Sequence, residues 1–162
     1  MKLEADKSRV AGIDLHRKNA FVVVYDRTVG SIVSKKKVES STGGEQLFQS
    51  ISCSLISIDD ISVVVVEPGP TSRLLIQHLE RNGFDARIVD ARTASRYRQG
   101  LSTNDWHDAE NLARAYSADL VKEVYCPNNA DYNTRKMVRV LSTLTRDLVR
   151  TQRRLQDHML EH

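Results

Sequence analysis

The six residues Ile61-Ser62-Val63-Val64-Val65-Val66 restrict the fold more than any other segment. A β-branched run of that length, with no regular polar alternation, suits a strand buried on both faces, and such a strand needs helices above and below its sheet. It is far too short to span a bilayer. Upstream the pattern differs. Arg9 to Leu15 and Asn19 to Tyr25 are β-rich runs joined by the polar His16, Arg17 and Lys18, which reads as a hairpin, and Gly30 opens a third run, Ser31 to Val38. Lys35, Lys36 and Lys37 in that third run are a common protection for the exposed edge of a sheet. An antiparallel meander therefore precedes the buried strand.

From there the pattern becomes βαβ. Gly43 and Gly44 precede a helical spacing of Leu47, Phe48, Ile51 and Leu55. After the buried strand, Glu67 is followed by the turn residues Pro68, Gly69 and Pro70, and Thr71 or Ser72 can cap a helix carrying Leu74, Leu75, His78 and Leu79. Ala86 to Val89 is a further strand, Thr93 to Arg98 a short helix before Gly100, and Asp105 to Tyr116 a longer helix. The expectation is an α/β domain over residues 1–118, with three antiparallel strands and then parallel ones in a mixed sheet flanked by helices.

Residues 119–131, with Cys126, Pro127, Asn128 and Asn129, read as a linker. Residues 132–159 contain neither Gly nor Pro and suit one long helix. Met137, Leu141, Leu144, Leu148, Thr151, Leu155 and His158 alternate four and three apart, the seam of a coiled coil, so Leu141, Leu144, Leu148 and Leu155 are expected to drive self-association. Arg135, Lys136, Arg139, Arg146, Arg150, Arg153 and Arg154 make this helix basic. Leu160, Glu161 and His162 are expected to be a tag remnant closing a piece cut from a longer protein.

Charge does not decide the partner, because 24 Lys and Arg against 21 Asp and Glu leave a net charge of only +3. Cys53 and Cys126 lie far apart without a metal-binding spacing, so a zinc site and a disulfide framework are both disfavoured. Met1 to Val10 is charged and carries no signal-peptide apolar stretch, and the expected location is cytoplasmic with no membrane partner.

Four carboxylates bear the chemistry. Asp14 lies mid-strand between Ile13 and Leu15, where its charge loses hydration, unless the other face of that strand meets solvent. Gly12, two residues earlier on the same face, is expected to leave room for a ligand. Glu67 stands at the carboxyl end of the buried strand, the place where open α/β sheets bind ligands, or serves as a rim carboxylate on nearby amides. Asp105 and Asp108 share one face of a helix's first turn and read equally as an N-cap arrangement or as inward-facing acids beside Ala109, Leu112 and Tyr116. Inward acids need a cation, and an all-oxygen set suits Mg²⁺ or Mn²⁺. His16 and His107 flank the set and are available as ligands or proton carriers, although surface positions are the commoner fate of such residues.

The order of elements and acids resembles the ribonuclease H-like (RuvC-like) fold of polynucleotidyl transferases. In detail, Ala11-Gly12-Ile13-Asp14-Leu15, Val65-Val66-Glu67-Pro68-Gly69-Pro70 and Asn104-Asp105-Trp106-His107-Asp108-Ala109-Glu110-Asn111-Leu112-Ala113-Arg114 resemble the three blocks of the DEDD transposases, the Piv-type invertases and their insertion-sequence relatives. Asp14, Glu67, Asp105 and Asp108 fall on that family's four acids. The resemblance implies the catalytic N-terminal domain of a DNA transposase or site-specific recombinase, cutting and transferring phosphodiester strands with two Mg²⁺ or Mn²⁺ ions, Asp14 bridging them. It also implies a second domain with a nucleophilic serine, without which this piece is expected to be inactive alone, dimers or tetramers built through the coiled coil, and in many members a structured guide RNA besides DNA. Two departures affect loops: Thr103 stands where the family usually has Lys, and Pro68-Gly69-Pro70 replaces a small residue followed by Thr and Gly.

Two further classes share features of this pattern. A non-catalytic nucleic-acid-binding module of the same fold, dimerising through residues 132–159, needs the same strands but no acid cluster. An actin-like ATPase fragment also begins with Gly-Ile-Asp, yet residues 91–162 offer only Gly100 for the phosphate loops it requires. Arg92, Arg96 and Arg98 with Tyr97 between them form the expected nucleic-acid contact, with a solvated helix face as the plainer reading.

Overall fold

The computed structural model of the protein describes residues 8–90 and 104–160. Two compact units divide the chain, Met1–Cys126 and Pro127–His162. In the first, β1 (Arg9–Leu15), β2 (Asn19–Asp26) and β3 (Ser31–Glu39) form the antiparallel meander. After α1 (Gly44–Ile56), β4 (Ile61–Val66) pairs parallel with β1; after α2 (Ser72–Arg81), β5 (Ala86–Val89) pairs parallel with β4. The helix Asp105–Ser117, α3 here, precedes the two-residue β6 (Glu123–Val124), which pairs antiparallel with β5. The sheet order is β3-β2-β1-β4-β5-β6.

β4 behaves as its composition demands. Val64 and Val66 pack with Leu47, Ile51, Leu55, Leu75, Ile76 and Leu79 of α1 and α2 on one face, while Val63 and Val65 pack with Leu112, Ala113 and Ala115 of α3 on the other. β3 is an edge strand, but Lys35 does more than repel other edges, because its Nζ lies 2.9 Å from Glu110 of α3. Glu110 also accepts from Arg114 at 2.9 Å. Burial pushes the Glu110 carboxyl up, yet the hydrogen bonds from Lys35 and Arg114 outweigh it and hold the group below its usual range.

Residues 119–131 hold more structure than a linker. Tyr116, in the last turn of α3, donates from its hydroxyl to Glu123 at 2.8 Å, and Arg87 of β5 reaches the same carboxylate at 2.9 Å, which fastens β6 to the sheet. Sequence periodicity could not reveal this, because two residues carry no period. The expected helix at Thr93 to Arg98, and with it Arg92, Arg96, Tyr97 and Arg98, lies outside the described residues. In the second unit, α4 (Asn129–Leu160) begins three residues before the expected start, because the Asn128 side chain accepts from the Asp131 amide at 2.8 Å and caps an earlier turn. α4 also runs through Leu160. Leu141, Leu144, Leu148 and Leu155 are each about 60% exposed or more. Among the described residues no helix is long and apolar enough to cross a membrane.

Gly12 has a different role from the one its sequence position suggested. A Cβ there would lie 2.1 Å from the Ala109 carbonyl oxygen and 2.9 Å from the Ala113 amide nitrogen. The space is filled by the α3 backbone, with no room left for a ligand. Backbone atoms held in a helix cannot yield as a flexible side chain can. Gly12→Ala should therefore destabilise the protein by about 3 kcal/mol or more, read from urea unfolding. Unchanged stability would mean that α3 is not seated on β1.

Candidate functional site

The seat of α3 on Gly12 carries its first turn to the carboxyl end of β1, and Asp14 lies there. Asp14 shares the α3 side of the sheet with Val10, and its side chain is only 13% exposed. The Nε2 atom of His16 lies 3.1 Å from Asp14 Oδ2 and 3.6 Å from Asp105 Oδ2. Among the described residues, Asp14, His16 and Asp105 form a group whose candidate ligand atoms all lie within 4.8 Å of one another. Asp108, one turn further along α3, acts on Asp14 through its charge. Glu67 follows directly on Val66, the partner of Ile13, so it leaves β4 at the same end of the sheet as Asp14. Ser72 donates to the Glu67 carbonyl at 2.6 Å and fixes the chain where it leaves β4.

The first turn of α3 is capped by Asn104, whose side chain accepts from the Trp106 amide at 3.2 Å. Asp105 is thus the first helical residue, not the N-cap, and its carboxylate is directed to the His16 side of the site. A helix N-terminus favours such acids through its unpaired amides and dipole. Trp106 packs edge-on against Phe21 of β2 at 4.9 Å between ring centroids, and Phe21 meets His16 in the same way at 6.0 Å. These contacts tie α3, β2 and the β1–β2 turn into one wall of the site.

Asp14 is the electrostatic centre. Burial raises its pKa first; the His16 ring pulls it down by charge and hydrogen bonding, and Asp105 and Asp108 push it up again, leaving it raised above the usual carboxylate value. The group is therefore short of positive charge. Carboxylate oxygens and one imidazole nitrogen, converging with a surplus of negative charge, fit a divalent cation in their donor chemistry.

His16 is the residue that sequence reasoning underrated. Its side chain is 45% exposed, which agrees with a surface histidine, yet Nε2 faces two carboxylates. The available signal was its position two residues beyond Asp14, on the same phase of the strand. His107 stands outside the tight group. Ala109 and Ala113, four apart on α3, were the matching signal for the close approach at Gly12.

A raised Asp14 means that the folded, metal-free protein retains a proton which the unfolded chain releases above pH 3.8. Stability then falls as pH rises from that value until the folded carboxyl ionises. With a chelator present, Asp14→Asn should melt at a higher temperature than the parent at neutral pH, and the difference should close as pH falls below 3.8. A variant that melts lower at neutral pH would contradict this balance of charges.

A family model described as "Transposase", that of the IS110-type DEDD transposases, matches residues 11–162. No curated protein matches in sequence. Among solved structures, Thermus thermophilus RuvC is similar to this chain both alone and in complex with a Holliday junction substrate, at 11% and 10% identity. Each comparison covers 72% of this chain and 99% of RuvC, with a TM-score of 0.51. The fowlpox virus Holliday junction resolvase is 15% identical over 69% of this chain and 99% of its own, with a TM-score of 0.48. The likeness to RuvC shows a shared ribonuclease H-like fold.

Proposed function

This chain belongs to the IS110-type DEDD transposase family, and we propose that its first unit is the catalytic domain that cleaves and transfers DNA strands during transposition. Asp14, Glu67, Asp105 and Asp108 are the catalytic acids on this reading and hold divalent metal, Mg²⁺ or Mn²⁺, as two ions. The observation that carries the proposal is the largely enclosed Asp14 carboxylate, crowded by Asp105 and Asp108 at the carboxyl end of β1. A fold that needed these acids only as helix caps would have no reason to collect them around a desolvated carboxylate, since Asn104 already caps α3.

Bound metal supplies neutralisation of the phosphodiester charge and activation of the attacking hydroxyl. The chain's own residues do the rest. Asp14, held by β1 and enclosed by α3, fixes one wall of the site; Asp105 and Asp108 approach from the helix, and Glu67 from the neighbouring strand end. The negative set keeps a phosphate away until its charge is balanced.

DNA is the proposed substrate, and a structured guide RNA, which the resemblance implies for many members, is proposed as a second partner. Arg92, Arg96, Tyr97 and Arg98 remain the proposed contacts to nucleic acid, together with the basic face of α4. The exposed Leu141, Leu144, Leu148 and Leu155 support assembly as a homodimer or homotetramer through α4. Sedimentation equilibrium should accordingly give a dimer or tetramer, and a monomer at micromolar concentration would remove that role.

Asp108→Asn separates chemistry from binding. In a strand-transfer assay it should lower metal-dependent activity by about 100-fold or more, the scale of losing an electrostatic contact to reacting atoms. Salt-dependent DNA binding should persist. Normal recombination by this variant would make the acids structural and the proposed activity wrong.

A further inference from the structure

We infer that His16 is itself a metal ligand through Nε2, so that the site is a mixed nitrogen–oxygen centre which holds Mn²⁺ more tightly than Mg²⁺. The inference rests on the metal-dependent reading above and adds a ligand and an ion preference to it. Ligand atoms at right angles around an octahedral ion with bonds of about 2.1 Å lie about 3.0 Å apart, and opposite ones about 4.2 Å apart. Nε2 of His16 stands 3.1 Å from Asp14 Oδ2, the spacing of neighbouring ligands on one ion, and 3.6 Å from Asp105 Oδ2, between the spacings of neighbouring and opposite ligands. All three donor atoms fall within 4.8 Å of one another.

The ring is held in this place from outside the acid group. The His16 amide donates to the Asn19 carbonyl at 2.9 Å, closing the β1–β2 turn, and Phe21 presses on the ring edge-on. Phe21 is buried and backed by Trp106, whose helix also supplies Asp105. The elements that bring the acids together therefore also aim the imidazole at them. A side chain merely screening negative charge needs no such seat, because a lysine or arginine can do that from solvent.

Donor chemistry sets the preference. Mg²⁺ is a hard ion that favours oxygen and water, whereas an imidazole nitrogen suits first-row transition ions. Adding Nε2 to an otherwise all-oxygen set of donors therefore shifts selectivity towards Mn²⁺.

The test is metal binding to the chain without nucleic acid. Isothermal titration with Mn²⁺ and with Mg²⁺ should show tighter Mn²⁺ binding by the parent, and spin-echo spectroscopy of bound Mn²⁺ should show modulation from a directly bound nitrogen. His16→Ala should remove that modulation and weaken Mn²⁺ binding by about tenfold, at least the loss typical of an outer-shell partner. Mg²⁺ binding should change far less. His16→Asp, which returns an oxygen donor, should keep Mg²⁺ binding and lose the preference for Mn²⁺. Thermal melting of both variants confirms that they fold, as the half-exposed ring should allow. Nitrogen modulation and Mn²⁺ preference that survive in His16→Ala would overturn the inference, and would leave the acid site intact if Asp14→Asn still abolished binding. Failure of the parent to bind either ion would instead overturn the metal-dependent reading, and this inference with it.

Discussion

The site depends on one close contact, that of the α3 backbone with Gly12. At every other position along β1 a side chain separates the strand from whatever covers it. At Gly12 nothing does, and the Ala109 carbonyl and Ala113 amide occupy the place of a Cβ. Small residues on both elements let the helix settle against the strand, and the first turn of the helix is thereby lowered to the level of Asp14. Asn104 caps the helix start, the Trp106–Phe21 contact locks it sideways, and the Lys35–Glu110 pair ties it to the edge strand. Each fixes a further degree of freedom of a helix whose height Gly12 has set.

The result is an electrostatic arrangement that a stable fold would not otherwise collect. Asp14 is largely enclosed and faces two further acids, and His16 offsets only part of that charge, so the carboxyl titrates above its usual value. The unfavourable charge is tolerated because the sheet beneath is well anchored. Val63 to Val66 are buried against helices on both faces, and the core on the α1 and α2 side is continuous from β3 to β5. Packing supplies stability in one place and the site concentrates charge in another, the usual division between scaffold and site.

Much of the fold was legible because its signals are periodic or compositional. β4 announced itself as an unbroken β-branched run, β3 as a lysine-bearing edge, and α1 to α3 by their spacing and turn residues. The three acid blocks indicated family membership, which the match over residues 11–162 establishes. Geometry at the scale of single contacts was not legible. Gly12 read as an opening for a ligand, since a sequence does not say which element approaches a glycine. Asp105 read equally as a cap because Asn104 and Asp105 are both good caps, and only the backbone shows which one carries that role. His16 read as available to the acids but more commonly a surface residue, since what singles it out is a spatial neighbour 89 positions away, Asp105. β6 was missed because its two residues are held by Arg87 and Tyr116 and not by any pattern of their own.

The central claim is that Gly12, Asp14, His16 and the first turn of α3 form one preorganised cation site. Anomalous diffraction from crystals grown with Mn²⁺ measures this directly. The account predicts a peak within bonding distance of the Asp14 and Asp105 carboxylates and of His16 Nε2, with α3 unmoved against Gly12. Manganese peaks found only elsewhere, or an α3 that withdraws from Gly12 so that Asp105 turns away from Asp14, would contradict it.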